Sequence, residues 1–329
     1  MTLERISTHT AGIANFSTIR AAGDLLNIPS VLDGWRHAAA YWGGTLRSLA
    51  GSHHLQAASV RPCAARVVIP SDFRDKWQAL YAHDGVAVPV PFLYNQSVGT
   101  LLYYRMFAQL GINLRHLLHV QHQTTHYVPV EEWMAAERQE LHATLRGAWR
   151  LGDGKALVAL RSAIHRQRED GGELLGTSND RFIIRNVPAD DLAVLASGRP
   201  LMRSVSALRR KTPELDPTAP GTRLATIPLA PDMATRFGRL SGEYSPWHTT
   251  PLAAKVFGFK RPFLQGLGLR NALVRQLVLA GYPLTRFQMS FTTKAYLGQT
   301  LRMVMQGEQF ELVDEAGLVV SFGSTSDAT

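Results

Sequence analysis

Apolar positions change their spacing several times along this chain, and the changes lay out its elements. Between Phe16 and Leu49 apolar residues such as Ile19, Leu25, Leu26, Leu32, Trp35 and Leu46 recur at mixed helical spacing, broken by Pro29 and Gly43-Gly44. That pattern predicts short helices packed as an extension over residues 1–60. From Arg61 the order is different and occurs twice. Ile69-Pro70, Asp72 and the helical stretch Phe73 to Tyr81 are echoed by Ile227-Pro228, Asp232 and Met233 to Leu240. Pro91-Phe92-Leu93 is likewise echoed by Pro262-Phe263-Leu264. Each copy then runs into an apolar helical pattern, Val98 to Leu110 in the first and Leu269 to Leu279 in the second.

Alternating stretches follow each of these helices. In the first copy strands are expected at about 118–128, 140–151, 156–167 and 173–184, with turns at Gly152-Asp153-Gly154-Lys155 and Asp170-Gly171-Gly172. In the second they are expected at about 286–297, 300–312 and 318–325, with turns at Gly298 and Glu315-Ala316-Gly317. A buried helix followed by a meander of long antiparallel strands, found twice, is an α+β pattern in which a sheet wraps a central helix. The organisation expected is an extension (1–60), a first repeat (61–187), a Pro-rich crossover (188–222) and a second repeat (223–329). The crossover carries Arg203, Arg209, Arg210 and Lys211, a basic patch that reads as a solvated face or a contact for phosphates.

Composition narrows the picture. The chain has 329 residues, 45% of them hydrophobic, enough for two ordinary cores. Against 26 Asp+Glu stand 35 Lys+Arg, a formal net charge of +9 that favours anionic partners. The basic residues are scattered and no nucleic-acid-binding motif is evident, so nucleic acid is not the expected partner. Cys63, the one cysteine, excludes an internal disulfide and fits a reducing compartment. No signal-peptide order or membrane-length apolar run occurs, and the expectation is a cytoplasmic protein with no membrane partner.

The copies differ in one place. From Pro70 to Pro91 is 21 positions and from Pro228 to Pro262 is 34, so the second copy carries 13 more. The excess falls on Glu243 to Pro251, a Gly/Ser/Pro-rich segment read as a loop, which sets a carboxylate and an imidazole five positions apart as a candidate acid/base pair. By itself such a pair is as well explained by a solvated loop. Gly266, however, opens the buried helical run, and the unpaired N–H groups at a helix start suit a carbonyl oxygen that gains negative charge. His116, His119, His122 and His126 invite a metal reading. Strand alternation puts 122 and 126 on one face and 119 on the other, and no carboxylate or Cys completes a tetrahedron, so no metal is expected. Gly266-Leu267-Gly268 lacks a third glycine and a preceding strand, and is not a nucleotide fingerprint.

The stretch from Ser241 to Leu267 resembles the signature of the MaoC-like, R-specific enoyl-CoA hydratase (hydratase 2) family. Ser241, Gly242, Pro246, His248, Pro251, Ala254, Gly258, Phe259, Pro262, Gly266 and Leu267 stand where that signature has them. Glu243 replaces the family's catalytic Asp, Ser245 its Asn, and Gln265 the His before the Gly. The resemblance implies a double hot-dog, two antiparallel sheets each wrapping a central helix, with one working half. It implies (R)-specific hydration of trans-2-enoyl thioesters, or the reverse dehydration of (R)-3-hydroxyacyl thioesters, in fatty acid or polyketide metabolism. Glu243, His248 and the N–H of Gly266 would be catalytic, and Ser245, Pro246, Phe263, Gln265 and Leu267 would contact substrate. The partner implied is an acyl-CoA or an acyl carrier protein thioester. No separate cofactor is expected, CoA or phosphopantetheine being part of the substrate, and the chain would be a monomer or homodimer. Two other readings share the fold: an acyl thioesterase, and a non-catalytic binder or scaffold for acyl thioesters.

Overall fold

The computed structural model describes residues 25–28, 60–69, 71–82, 84–86, 98–113, 116–152, 154–168, 172–190, 210–241, 243 and 245–327. The first repeat begins with β2 (Cys63–Val68), after a short β1 (Leu25–Ile28) that pairs with it in parallel. Then come α1 (Ser71–Tyr81), α2 (Val98–Gln109), β3 (Leu117–His126), α3 (Val130–Ala135), β4 (Arg138–Gly152), β5 (Lys155–Arg166) and β6 (Glu173–Arg185). The second repeat has β7 (Arg223–Pro228), α4 (Met233–Ser241), α5 (Pro246–Thr249), α6 (Pro251–Val256), α7 (Gly266–Leu279), β8 (Arg286–Phe291), β9 (Thr300–Gln306), β10 (Gln309–Val313) and β11 (Val319–Ser326).

The strands make one sheet in the order β1-β2-β4-β5-β6-β3-β8-β11-β10-β9-β7. Setting β1 aside, each repeat contributes five strands in the same arrangement: its first, third, fourth, fifth and second. The two copies meet where their second strands, β3 and β8, pair antiparallel in the register Gln121↔Ser290 to Thr125↔Arg286. Each copy packs against one long helix, α2 in the first and α7 in the second. This is the double hot-dog, with its two sheets joined edge to edge into one.

Both central helices are buried. Leu102, Met106 and Phe107 of α2 and Leu269, Leu273, Val274 and Leu277 of α7 belong to one continuous apolar core spanning both copies. α7 also buries two guanidinium groups completely. Arg275 is paired with Asp84 and donates to the Val86 carbonyl at 2.8 Å. Arg270 lies over the Phe287 ring, 5.2 Å from its centroid, and donates to Asn271 Oδ1 at 3.0 Å.

Several expectations change. Leu25–Ile28 is a strand, not helix; the apolar run is too short for periodicity to decide, and Pro29 biases the residue before it toward extended backbone. The remainder of the expected helical extension lies outside the described residues, as do Pro70, Pro91 to Asn95, Asp153, Asp170, Gly171, Arg203 and Arg209. Gly307, with φ 58°, turns the single strand expected over 300–312 into the hairpin β9–β10. The Glu243 to Pro251 segment is not all loop: Pro246 and Pro251 each sit at the first position of a short helix, where a missing N–H is harmless. Arg210 is no solvated linker residue. It pairs with buried Glu311 and lies over Phe322, and with the Glu214 N–H on the same carboxylate it fastens the end of the crossover to the second copy.

Candidate active site

The chain reaches the site along α4, which ends at Ser241. The Glu243 N–H donates to Ser241 Oγ at 3.2 Å, so the carboxylate leaves the helix end at a defined angle. Gln265 fixes the other side. Its fully buried amide donates to the carbonyls of Ala234 and Glu243, each at 3.1 Å, and so ties the start of α7 to the acidic segment. The residues before α7 are held in turn by the chain after β8. Leu264 N–H donates to the Ala295 carbonyl at 2.8 Å, and Leu297 N–H to that of Pro262 at 3.2 Å. This pairing is why β8 stops at Phe291 and not at 297.

His248 lies in α5 and is buried. Its Nδ1 is 2.8 Å from the Phe263 carbonyl, which can only accept, so Nδ1 carries the proton and Nε2 is left with its lone pair. The ring is braced edge-on by Phe263, centroids 4.4 Å apart. Burial lowers the His248 pKa to about 4, opposed by the bond to Phe263. Burial acts in the other direction on Glu243, pushing it up to about 8, and its Oε2 has no hydrogen-bond partner among the described residues. The arrangement therefore sets a carboxylic acid and a neutral imidazole in the wall of one cavity.

Both line a cavity of about 620 Å³. Ser245, Phe263, Gly266 and Leu267 are in its wall as well. Pro246 and Gln265 are not: Pro246 faces solvent at the start of α5, and the Gln265 side chain is turned inward to the two carbonyls. Gly266 is the first residue of α7, and Gln265 makes no side-chain bond to that first turn. Gly242 and Tyr244 lie outside the described residues.

The first copy supplies much of the rest. Tyr103, Tyr104 and Phe107 of α2 and Phe182 of β6 form an aromatic wall, and Lys155 and Arg185 stand along the same cavity with Lys294 of the second copy. Lys294 is lowered by burial and by the charge of Arg185. Charge complementary to an anionic ligand is thus placed at the cavity by these residues, and not shown at the crossover. The repeat pointed to α2; nothing in the local pattern marked the three cations.

β3 corrects the histidine expectation. Pairing with β6 slips between His119 and Gln121, a bulge that leaves Val120 extra and brings His119 and His122 to the same carboxylate. That carboxylate is Asp180, 2.9 Å from His119 Nε2 and 2.7 Å from His122 Nδ1. The three donor atoms lie within 4.8 Å of one another, a grouping that could hold a metal ion. As it stands, Asp180 also accepts from Tyr103 Oη at 2.6 Å and Ser178 Oγ at 3.2 Å. Four donors fill the lone pairs of the carboxylate, so hydrogen bonding accounts for the cluster.

Comparison with known proteins gives the following. Residues 216–326 match the family model described as MaoC like domain. A MaoC-like dehydratase from Phytophthora capsici superposes with a TM-score of 0.60 at 15% identity, over 82% of this chain and 96% of that one. HtdX of Mycobacterium tuberculosis gives 0.56 at 16%, over 80% and 98%. The peroxisomal multifunctional enzyme type 2 of Drosophila melanogaster gives 0.55 at 21%, over 87% of this chain and 52% of its own. Among the described residues no helix is long and apolar enough to cross a membrane.

Proposed function

With residues 216–326 forming a MaoC-like domain within a double hot-dog chain, we propose that the protein is an enzyme that hydrates trans-2-enoyl thioesters, and in reverse dehydrates (R)-3-hydroxyacyl thioesters. The observation that carries this is the pair Glu243 and His248 in one cavity, their pKa values driven to opposite sides of neutrality by burial. In the hydration direction His248 Nε2 takes a proton from water as its oxygen bonds to C3. The Glu243 carboxylic acid delivers a proton to C2, and the C2–C3 π electrons form that new C–H bond. The imidazolium and carboxylate that result exchange a proton to restore the start, so one water is consumed and nothing else. Negative charge on the thioester oxygen during the step is met by the N–H of Gly266 and the N-terminal end of α7. The aromatic wall suits an acyl chain. Lys155, Arg185 and Lys294 suit the phosphates of CoA or of a carrier-bound phosphopantetheine.

The test is loss of enoyl-thioester absorbance when the protein meets crotonyl-CoA and a medium-chain enoyl-CoA. Wild type is expected to hydrate, with Glu243→Gln and His248→Ala reduced by at least about a hundredfold. Release of free thiol in place of hydration would move the assignment to a thioesterase. Tight binding with neither reaction would make the chain a binder.

A further inference from the structure

The segment from Trp247 to Phe263 has two faces. Trp247, Phe257, Phe259 and Phe263 line the cavity. They pack in pairs, Trp247 on Phe257 with ring centroids 4.8 Å apart and Phe259 on Phe263 at 4.9 Å. The residues between them face water: Leu252, Lys255 and Val256 of α6, then Lys260 and Arg261. The turn between the two groups is fixed. Gly258, with φ 80°, ends α6 in a Schellman motif, its N–H donating to the Lys255 carbonyl at 2.9 Å and that of Phe259 to the Ala254 carbonyl at 2.8 Å.

The outer face is unusual in two respects. Leu252 and Val256, one turn apart on α6, are 75% and 68% exposed, more than any other large apolar side chain among the described residues. The charge around them has one sign. None of residues 244–307 is Asp or Glu, where the chain's average gives about five, and eight are Lys or Arg. Arg270 and Arg275 are buried in α7; the other six are exposed or half-buried. Lys294 links this face to the cavity, its Nζ 5.3 Å from the centroid of the Phe259 ring. Cations at the cavity serve the phosphates of CoA and of a carrier arm alike. An apolar pair held in water among cations has no counterpart on a nucleotide. It matches a protein partner, with apolar contact at the centre and carboxylates at the rim. Two apolar side chains on a six-residue helix are too few to lodge in a lipid surface.

We propose that the outer face of α6, with Lys260 and Arg261, is the docking surface for an acidic acyl carrier protein, whose phosphopantetheine arm passes Phe257 and Phe259 into the cavity. The inference rests on the acyl-thioester reading of the cavity, and names the carrier, in place of CoA, as what brings the thioester. Because the Schellman motif already holds the face in one conformation, docking orders little backbone.

The experiment measures, by calorimetry on the full chain, binding of a bacterial acyl carrier protein loaded with butyryl-phosphopantetheine and of butyryl-CoA; neither has a double bond to hydrate. Wild type is expected to bind the loaded carrier at least about tenfold more tightly than butyryl-CoA. The double variant Leu252→Ser, Val256→Ser, which leaves every charge in place, weakens the carrier about tenfold and butyryl-CoA not at all. Lys255→Gln with Lys260→Gln and Arg261→Gln slows carrier association and flattens its dependence on salt. All five side chains are exposed, and circular dichroism confirms that the variants are folded. Equal carrier affinity in wild type and the Ser variant overturns the inference, as does butyryl-CoA binding with no binding of the carrier; hydration of crotonyl-CoA would stand in either case. Recruitment of wild type to phosphatidylglycerol vesicles, lost in the Ser variant while carrier binding is unchanged, overturns it in favour of a membrane contact. Carrier binding that depends on α6, with no hydration of crotonyl-carrier or crotonyl-CoA, sinks the hydratase alone. Binding of neither butyryl thioester by folded wild type overturns both.

Discussion

Glu243 and His248 owe their chemistry to the same physical cause acting on opposite charge types. Taking a carboxylate out of water favours its neutral form, and taking an imidazolium out of water does the same. The proposed hydration needs Glu243 protonated and His248 free, so under that proposal kcat/KM is expected to be level between the His248 value of about 4 and the Glu243 value of about 8, and to fall outside them. A pH–rate profile checks this, reading the pair's joint titration. Stability follows with definite sign. Above the ordinary carboxylate pKa the unfolded chain loses the Glu243 proton while the folded chain keeps it, so folding is weakened progressively as pH rises from about 4.5 to about 8. Glu243→Gln removes that penalty, and the variant should melt higher than wild type at pH 8, by more than at pH 5. His248 acts at the acid end: its lowered pKa means stability is lost as pH falls from about 6.5 to about 4.

At the scale of elements the site depends on straps more than on length of helix. Gln265 bonds two backbone carbonyls from different segments, so Gln265→Ala takes the amide donor from the Glu243 carbonyl, cuts the tie to α4 and frees the Glu243 segment. The expected cost is about 2 kcal/mol in denaturant unfolding, with a larger fractional fall in kcat than in substrate affinity. The long elements were legible from spacing alone: α2, α7 and β4 to β6 fall within a few residues of where periodicity puts them, because their apolar faces are long enough to repeat. So was the Glu243–His248 segment, marked by its extra length in one copy. What escaped was local. A two-residue hairpin at Gly307, proline-started helices at Pro246 and Pro251, and the bulge at Val120 each turn on one residue's backbone, and one bulge is enough to reverse which side chains share a face. His119 and Asp180, 61 positions apart, could not be paired without that bulge.

For the whole molecule the decisive feature is the β3–β8 seam. One sheet and one apolar core cross it, so the described copies should unfold together. A melt followed by far-UV circular dichroism and by tryptophan fluorescence, with Trp133 in the first copy and Trp247 in the second, is expected to give coincident transitions. Separate transitions would mean that the seam is weaker than its register implies. The seam has a further consequence for how the activity behaves in solution. Two equivalent strands meeting antiparallel is the geometry of a twofold axis, here folded into a single polypeptide. A cavity assembled across such an axis by two separate chains would come apart on dilution; here the covalent link removes concentration from that equilibrium. Turnover per molecule should therefore stay constant down to nanomolar protein. The same link lifts the demand that the two parts be identical, leaving one free to specialise in gripping what the other transforms.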